Sequence, residues 1–317
     1  MALGDNATTL DSQEGVLPKP MATKIITEAY GESVAGRLAG TIPMPITGAS
    51  IAFQTGEPVA GIVGEGQMKP VIKAGIATKT AKPIKAAALM YWSKEARQAN
   101  PLGYLGMLEN SAKDAIRRAI DMAVIHGKNA LTDARISGIE AITDTANVIQ
   151  LGSAAAGAGG LTADVLAGYG IVSDRGGEFT GFAADPRMRV RLMGARDEHG
   201  NPIFATAARG GIDLRDPMGD LMGLPVTFAK AVGGRMGIVE DTGTKIIGGD
   251  FAGNIQFGYV EQLTYRKTDV GTIVDGDVEI NLFQQNMEAY LVEAQFGWII
   301  RDVDNFALYT DNEVVGG

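Results

Sequence analysis

The sequence predicts an α+β fold, and three observations carry that prediction. One long amphipathic helix signal stands in the middle of the chain, short β-type runs lie on both sides of it, and the 317 residues include 43 glycines but only 6% aromatics. Glycine at that level serves turns and close backbone approaches, which suits many short strands. The 45% apolar content is enough to fill a core, in one large or two ordinary domains.

The helix signal runs from Asn100 to Gly127. Asn100 is placed to cap the N-terminus, Pro101 needs no amide partner in the first turn, and Gly127 supplies a left-handed stop. Leu105, Leu108, Ala112, Ala115, Ile116, Ala119, Ile120 and Ala123 recur at helical spacing on one face. Glu109/Lys113 and Asp114/Arg118 are i,i+4 pairs on the other. Such a rod is roughly 40 Å long, more than most single cores need to cover.

Ahead of the helix, Met1–Leu17 is polar and reads as a flexible arm, and Pro18–Tyr30 as a short helix. Pro43 and Pro45 hold the next stretch extended or turning. Ala49–Phe53 and Val59–Val63 read as strands. From Gly61 to Arg97 seven basic residues (Lys69, Lys73, Lys79, Lys82, Lys85, Lys94, Arg97) face two acids (Glu65, Glu95), a net of +5 in a chain that totals −9, which leaves −14 for the remainder. Glycine, proline and threonine punctuate this basic segment. It reads as a two-stranded ribbon, Val71–Thr78 out and Pro83–Ser93 back, with Lys79 at its tip. A ribbon of two strands buries little by itself, so it needs a neighbour to lie on.

Beyond the helix, 152–160 reads as a loop and Thr162 as the cap of a helix ending near Gly168. Asp185–Pro186 opens another helix, and His199–Pro202 is a turn. Strands follow: one through the LMGLPVTFA run, one at Thr244–Phe251, one at Gln256–Tyr265, then Val278–Phe283 and Met287–Arg301.

The composition excludes several functions. A net charge of −9 opposes a nucleic-acid binder, which has to neutralise phosphates. The absence of cysteine excludes disulfides and thiolate metal sites. No run of 18 apolar residues and no charged leader with an apolar core opens the chain, so neither membrane insertion nor secretion is expected. His126 and His199 are the only histidines. They have no carboxylates at ligand spacing and read as surface or helix-capping residues. GIATKT at 75–80 lacks the glycine before Lys79 and the following helix of a phosphate-binding loop. The glycines at 157, 159 and 160 lack the strand-then-helix context of a dinucleotide site. No cofactor or metal is expected.

The order of motifs resembles the major capsid proteins of tailed bacteriophages, with the Hong Kong 97-type shell fold. The matching stretches are VLPKPMATKII from Val16, GEGQMKP opening the ribbon, PIKAAALMYWSKEARQ, GLPV at Gly223–Val226, IIGGDF at Ile246–Phe251 and EAQFGWIIRDVDNFAL at Glu293–Leu308. The resemblance implies an N-terminal arm (1–48), an extended loop (49–98), a peripheral domain with a spine helix (99–149), an axial domain (150–275) and C-terminal strands that return to the peripheral domain (276–317). It implies self-assembly into hexamers and pentamers around double-stranded DNA that is held without sequence-specific binding. A separate scaffolding protein and a portal are implied partners, and assembly in the bacterial host cytoplasm is implied before residence in the virion capsid. Lys69, Lys73, Lys79, Lys82 and Lys85 are the expected intersubunit contacts. An acidic body would let packaged DNA slide, and a basic loop on an acidic neighbour is complementary. Some members join subunits by a lysine–asparagine isopeptide bond, with a glutamate seven residues after the asparagine as base. Asn286 and Glu293 match that pattern. Lys79 lies one position from the aligned lysine, and Thr78 occupies the aligned position. Two alternatives remain at this level: an encapsulin-type nanocompartment shell with the same fold, and a glycine-rich α+β enzyme.

Overall fold

The computed structural model describes residues 33–55, 60–69, 71, 75–95, 104–154, 159–195, 204–206, 218–234, 240–260 and 264–311. The predicted arm and first helix, the Asn100–Pro101 cap, Lys73 and the His199 turn lie outside these residues. In chain order the elements are α1 (Val34–Leu38), β1 (Gly40–Pro43), β2 (Ala49–Thr55), β3 (Gly75–Ala81), β4 (Ile84–Ser93), α2 (Tyr104–His126), β5 (Val148–Gln150), α3 (Gly160–Asp174), β6 (Gly181–Ala184) and α4 (Met188–Gly194). They continue as β7 (Phe204–Thr206), β8 (Met218–Leu221), β9 (Leu224–Phe228), β10 (Thr244–Gly249), β11 (Ile255–Tyr259), β12 (Thr264–Thr268), β13 (Thr272–Asp275), β14 (Val278–Asn281), β15 (Met287–Ile300) and β16 (Phe306–Thr310).

The first sheet is organised on β15. Along one side it pairs antiparallel with β11, which carries β1, and with β12; along the other it pairs with β4 from Ile84↔Phe296 to Ser93↔Met287. Alternation in a strand sends every second side chain to one face. Val292, Ala294, Phe296, Trp298 and Ile300 therefore share a face, and they pack with Ala112, Ile116, Ile120 and Ala123 of α2. Burying the valine, isoleucine and phenylalanine side chains among them contributes roughly 1.5–3 kcal/mol each. The last turns of α2 are buried on every side, because the Lys230–Gly233 turn and α1 also pack on that helix. Gly127 ends it at φ 61°, as the sequence predicts.

The second sheet runs β5-β16-β10-β6-β9-β8-β7, and α3 lies on β16, β10 and β5. Its core joins Phe182, Met188, Leu192, Val226, Ile246 and Tyr309. Helix and sheet approach closely at Gly168, where a Cβ would lie 2.2 Å from Tyr309 Oη. The two sheets do not divide at residues 150 and 275: β11 and β12 join β15 in the first, whereas β16 joins β5 and β10 in the second.

Several local expectations are corrected. The ribbon does not fold back on itself through β4. Its strands are β2 and β3, paired from Ala49↔Ala81 to Thr55↔Gly75, while β4 is a strand of the first sheet. Residues 60–63 form no strand. LMGLPVTFA is a hairpin, β8 and β9, turning at Met222 and Gly223, both at positive φ, as a two-residue turn requires. Gln256–Tyr265 is divided between β11 and β12. α3 starts at Gly160 and runs to Asp174, so Thr162 lies inside it and Gly159 is the cap. Asp114 pairs with Arg117 at 2.9 Å, one position short of the expected Arg118, whose Nε donates to the Asp114 carbonyl instead.

Candidate assembly surfaces

The β2–β3 strap has one pairing partner per strand and no core of its own. It is anchored where it leaves the body, where Met44 and Ala81 pack with Val260 and Ile299. Beyond that root it presents apolar side chains to solvent, with Ile62, Met68 and Ile76 all exposed. A surface of this kind, dotted with lysines, marks an interaction site.

Lys79 does not lie at the tip. It stands in β3 opposite Ile51, close to the root. Its Nζ donates to both oxygens of Glu140 at 2.9 and 2.7 Å and to the Ile300 carbonyl at 3.0 Å. Glu140 is fixed in turn, because Trp298 Nε1 donates to its backbone carbonyl at 2.9 Å. Lys82 joins these residues in lining a cavity of about 170 Å³ beneath the root. Lys85 pairs with Glu293 across the β4–β15 ladder at 2.7 Å. Lys69 lies in the exposed outer part of the strap.

Asn286 adopts a left-handed backbone conformation just before β15, and its Nδ2 donates to Glu95. The fold does not bring Lys79, Asn286 and Glu293 together within one chain. Asn286 and Glu293 are separated by about 20 Å of extended strand, and Lys79 is engaged by Glu140. The partners of Lys79 and Lys85 are invisible to spacing rules, because they lie far along the chain. Exposed ion pairs contribute little singly. We therefore expect Lys79→Ala to lower the stability of the unassembled chain by less than ~1 kcal/mol while raising amide exchange in β2 and β3; unchanged exchange there would show that Lys79 does not hold the root.

His126 is not a surface residue. It is buried at the end of α2, and Nε2–H donates to the Ala231 carbonyl at 2.7 Å. Burial depresses its pKa, so the neutral ring is the resident form. One further residue escaped sequence reasoning. Asp121 sits on the buried face of α2, where its Oδ1 accepts the Val34 N–H at 2.9 Å and holds the first turn of α1. Burial pushes its carboxyl up to about 7, against the opposing pull of the α1 amides, Arg117 and Arg37. An acid in the middle of an apolar helix face was the available signal. Among the described residues no group of three or more His, Asp or Glu is placed to hold a metal ion, and no helix is long and apolar enough to cross a membrane.

Comparison with solved structures places this architecture among phage proteins. A chain from Gordonia phage Cozz superposes with a TM-score of 0.71 at 30% identity, covering 88% of this chain and 86% of that one. A chain from Mycobacterium phage Ogopogo gives 0.70 at 24% identity, over 88% and 92%. The class is thus a phage protein of this fold. The sequence pattern of the phage capsid family matches residues 14–311, and the chain belongs to that family. It is 28% identical over 237 residues, 74% of its length and 70% of the relative's, to the probable major capsid protein gp17 of Mycobacterium phage D29. The protein is a structural capsid subunit of the virion that assembles with copies of itself into a shell. The enzyme and nanocompartment alternatives give way to this reading.

Proposed function

We propose that the subunits form hexamers and pentamers that close an icosahedral head around double-stranded phage DNA. The observation that carries this is the strap: it has no core of its own, it exposes Ile62, Met68 and Ile76, and it belongs to the one strongly basic segment of an acidic chain. Laid across the acidic body of the next subunit, its apolar side chains would be covered and its lysines paired. Lys69, Lys73 and Lys82 then make intersubunit contacts of small individual worth whose repetition fixes register, whereas Lys85 is already paired with Glu293 of its own chain. In this scheme 1–48 is an arm and the extended loop runs from 49 to the start of β4. The sheet on β15 with α2 forms a peripheral domain, and the sheet of β5, β6–β10 and β16 with α3 an axial one. A separate scaffolding protein and a portal act during assembly in the host cytoplasm, and the acidic body keeps packaged DNA free to slide.

Electron micrographs of particles carrying the intact chain should show DNA-filled icosahedral heads. Removing residues 60–69 should leave folded subunits that do not close; closed heads of normal size from that variant would refute the role given to the strap. A covalent strap is a separate arm of the same reading. It requires Lys79 to leave Glu140 and its neutral amine to attack the side-chain amide carbon of the partner's Asn286, with a Glu293 carboxylate taking the amine proton and the amide nitrogen leaving as ammonia. Particles boiled in detergent should then run as a ladder that Lys79→Arg abolishes, and a single band at monomer mass would remove this chemistry.

A further inference from the structure

We infer that a cationic cavity at the start of β10 is a carboxylate-binding site, filled in the shell by an acidic side chain of a second copy of this chain. This rests on the self-assembly described above and names one of its contacts. The cavity holds about 340 Å³ and is lined by Arg187, Met188, Arg191, Lys245 and Asp311.

The deciding residue is Lys245. It is 8% exposed, and among the described residues its ammonium reaches only Asp241 Oδ2, at 3.7 Å, which is beyond hydrogen-bond distance. The Lys245 stem is buried but its Nζ opens into the cavity, so the three donors of the ammonium are presented to whatever enters it. The surrounding acids are already committed. Asp185 is fully buried and takes Nε and Nη2 of Arg187 at 3.1 and 3.0 Å. Asp241 takes Arg187 Nη2 at 2.6 Å, and Asp311 takes Arg191 Nη1.

The arrangement is layered by charge. The carboxylates of Asp185, Asp241 and Asp311 lie inward, at 0%, 23% and 17% side-chain exposure, whereas the guanidiniums of Arg187 and Arg191 lie outward at 36% and 44%. An approaching group meets cations first and finds the Lys245 donors behind them. Counting all six groups, the cluster is neutral, so it suits one singly charged carboxylate better than a run of phosphates. Copies of this chain supply such groups in quantity, since the residues outside the basic segment carry a net −14 within the total of −9.

The test is Lys245→Met, which keeps the aliphatic volume and leaves Asp241 paired with Arg187. Shell formation is followed by sedimentation in the absence of DNA, beside Lys245→Arg and the unaltered chain. We expect Lys245→Met to fold with an unchanged or higher Tm as the unassembled subunit. It should raise the protein concentration at which shells appear by about tenfold, the loss expected when one hydrogen bond to a charged group disappears from each contact. Lys245→Arg should restore assembly. Unaltered assembly of Lys245→Met would overturn the inference, as would a lowered Tm of the free subunit, which would place the anion within the same chain. A defect confined to DNA retention would also overturn it, since it would assign the site to phosphate. If the unaltered chain itself fails to form shells, the fault lies with the assembly reading and not with the cavity.

Discussion

Replacing Gly249 by alanine should leave almost no folded subunit. Gly249 ends β10, the strand held between β6 and β16 in the second sheet. Its φ is 151°, a conformation that L side chains rarely adopt, and an added Cβ would lie 2.3 Å from the Asn305 carbonyl oxygen. Neither backbone can yield. The Gly249 carbonyl accepts the Thr180 N–H at 3.0 Å, and the Asp250 N–H donates to that same Asn305 carbonyl at 3.1 Å. Forcing such a conformation costs on the order of 1–3 kcal/mol before the clash is counted. The clash at backbone adds to it, and the sum approaches the whole stability of an ordinary domain, roughly 5–15 kcal/mol. Urea denaturation of the unassembled subunit gives the answer; a midpoint equal to that of the unaltered chain would show that this junction yields.

The second large effect concerns Asp121. Its carboxyl has a pKa of about 7 in the fold against 3.8 as a free side chain, because burial opposes ionisation. The folded state therefore holds a proton that the unfolded state has released between these two values. Stability from this group is fully present below pH 3.8 and is lost as pH rises towards 7, at about 1.4 kcal/mol per pH unit. Above that the difference is constant. Asp121→Asn keeps an acceptor for the Val34 N–H and removes the charge. We expect it to exceed the unaltered subunit in stability by about 2–4 kcal/mol at pH 8, with the gap narrowing below pH 7 and closing near pH 3.8. His126 trends in the opposite direction, since burial depresses its pKa, but it is common to both proteins and cancels in the difference. A gap independent of pH would show that Asp121 is ionised throughout.

The Gly249 junction also shows what sequence reading reaches. IIGGDF was legible as a motif of the capsid resemblance, yet nothing local says why two glycines stand there. The reason for Gly248 is Phe179, whose ring would lie 2.3 Å from an added Cβ; the reason for Gly249 is the Asn305 carbonyl. Both neighbours arrive from distant parts of the chain. The long helix was legible because its signals are local: apolar residues at 3–4 spacing and a glycine to stop it. The β4 pairing was not. An apolar strand that begins at a lysine-rich turn (Lys82, Lys85) and ends before Lys94 fits a returning ribbon as well as a sheet, and only its partners on β15 and α2 choose between them.

The strap site divides in the same way. Its charge and its lack of a core were visible in composition and punctuation, and so was the need for a neighbour. The role of Lys79 was not, because its partners Glu140 and Ile300 lie 61 and 221 residues away. Lys245 carried no sequence signal at all, since a lysine opening a buried strand looks like any solvated strand end.

The sequence by itself determined the α+β class, the spine helix and its stop, the basic strap and, through the order of its motifs, membership of the capsid family. Those features are written in nearest-neighbour spacing, backbone preference and summed charge. Tertiary structure alone decided which strands pair, which carboxylates are buried and which lysines are already engaged. Each of these depends on groups brought together across long separations, where desolvation and close packing select one arrangement from many that local pattern allows.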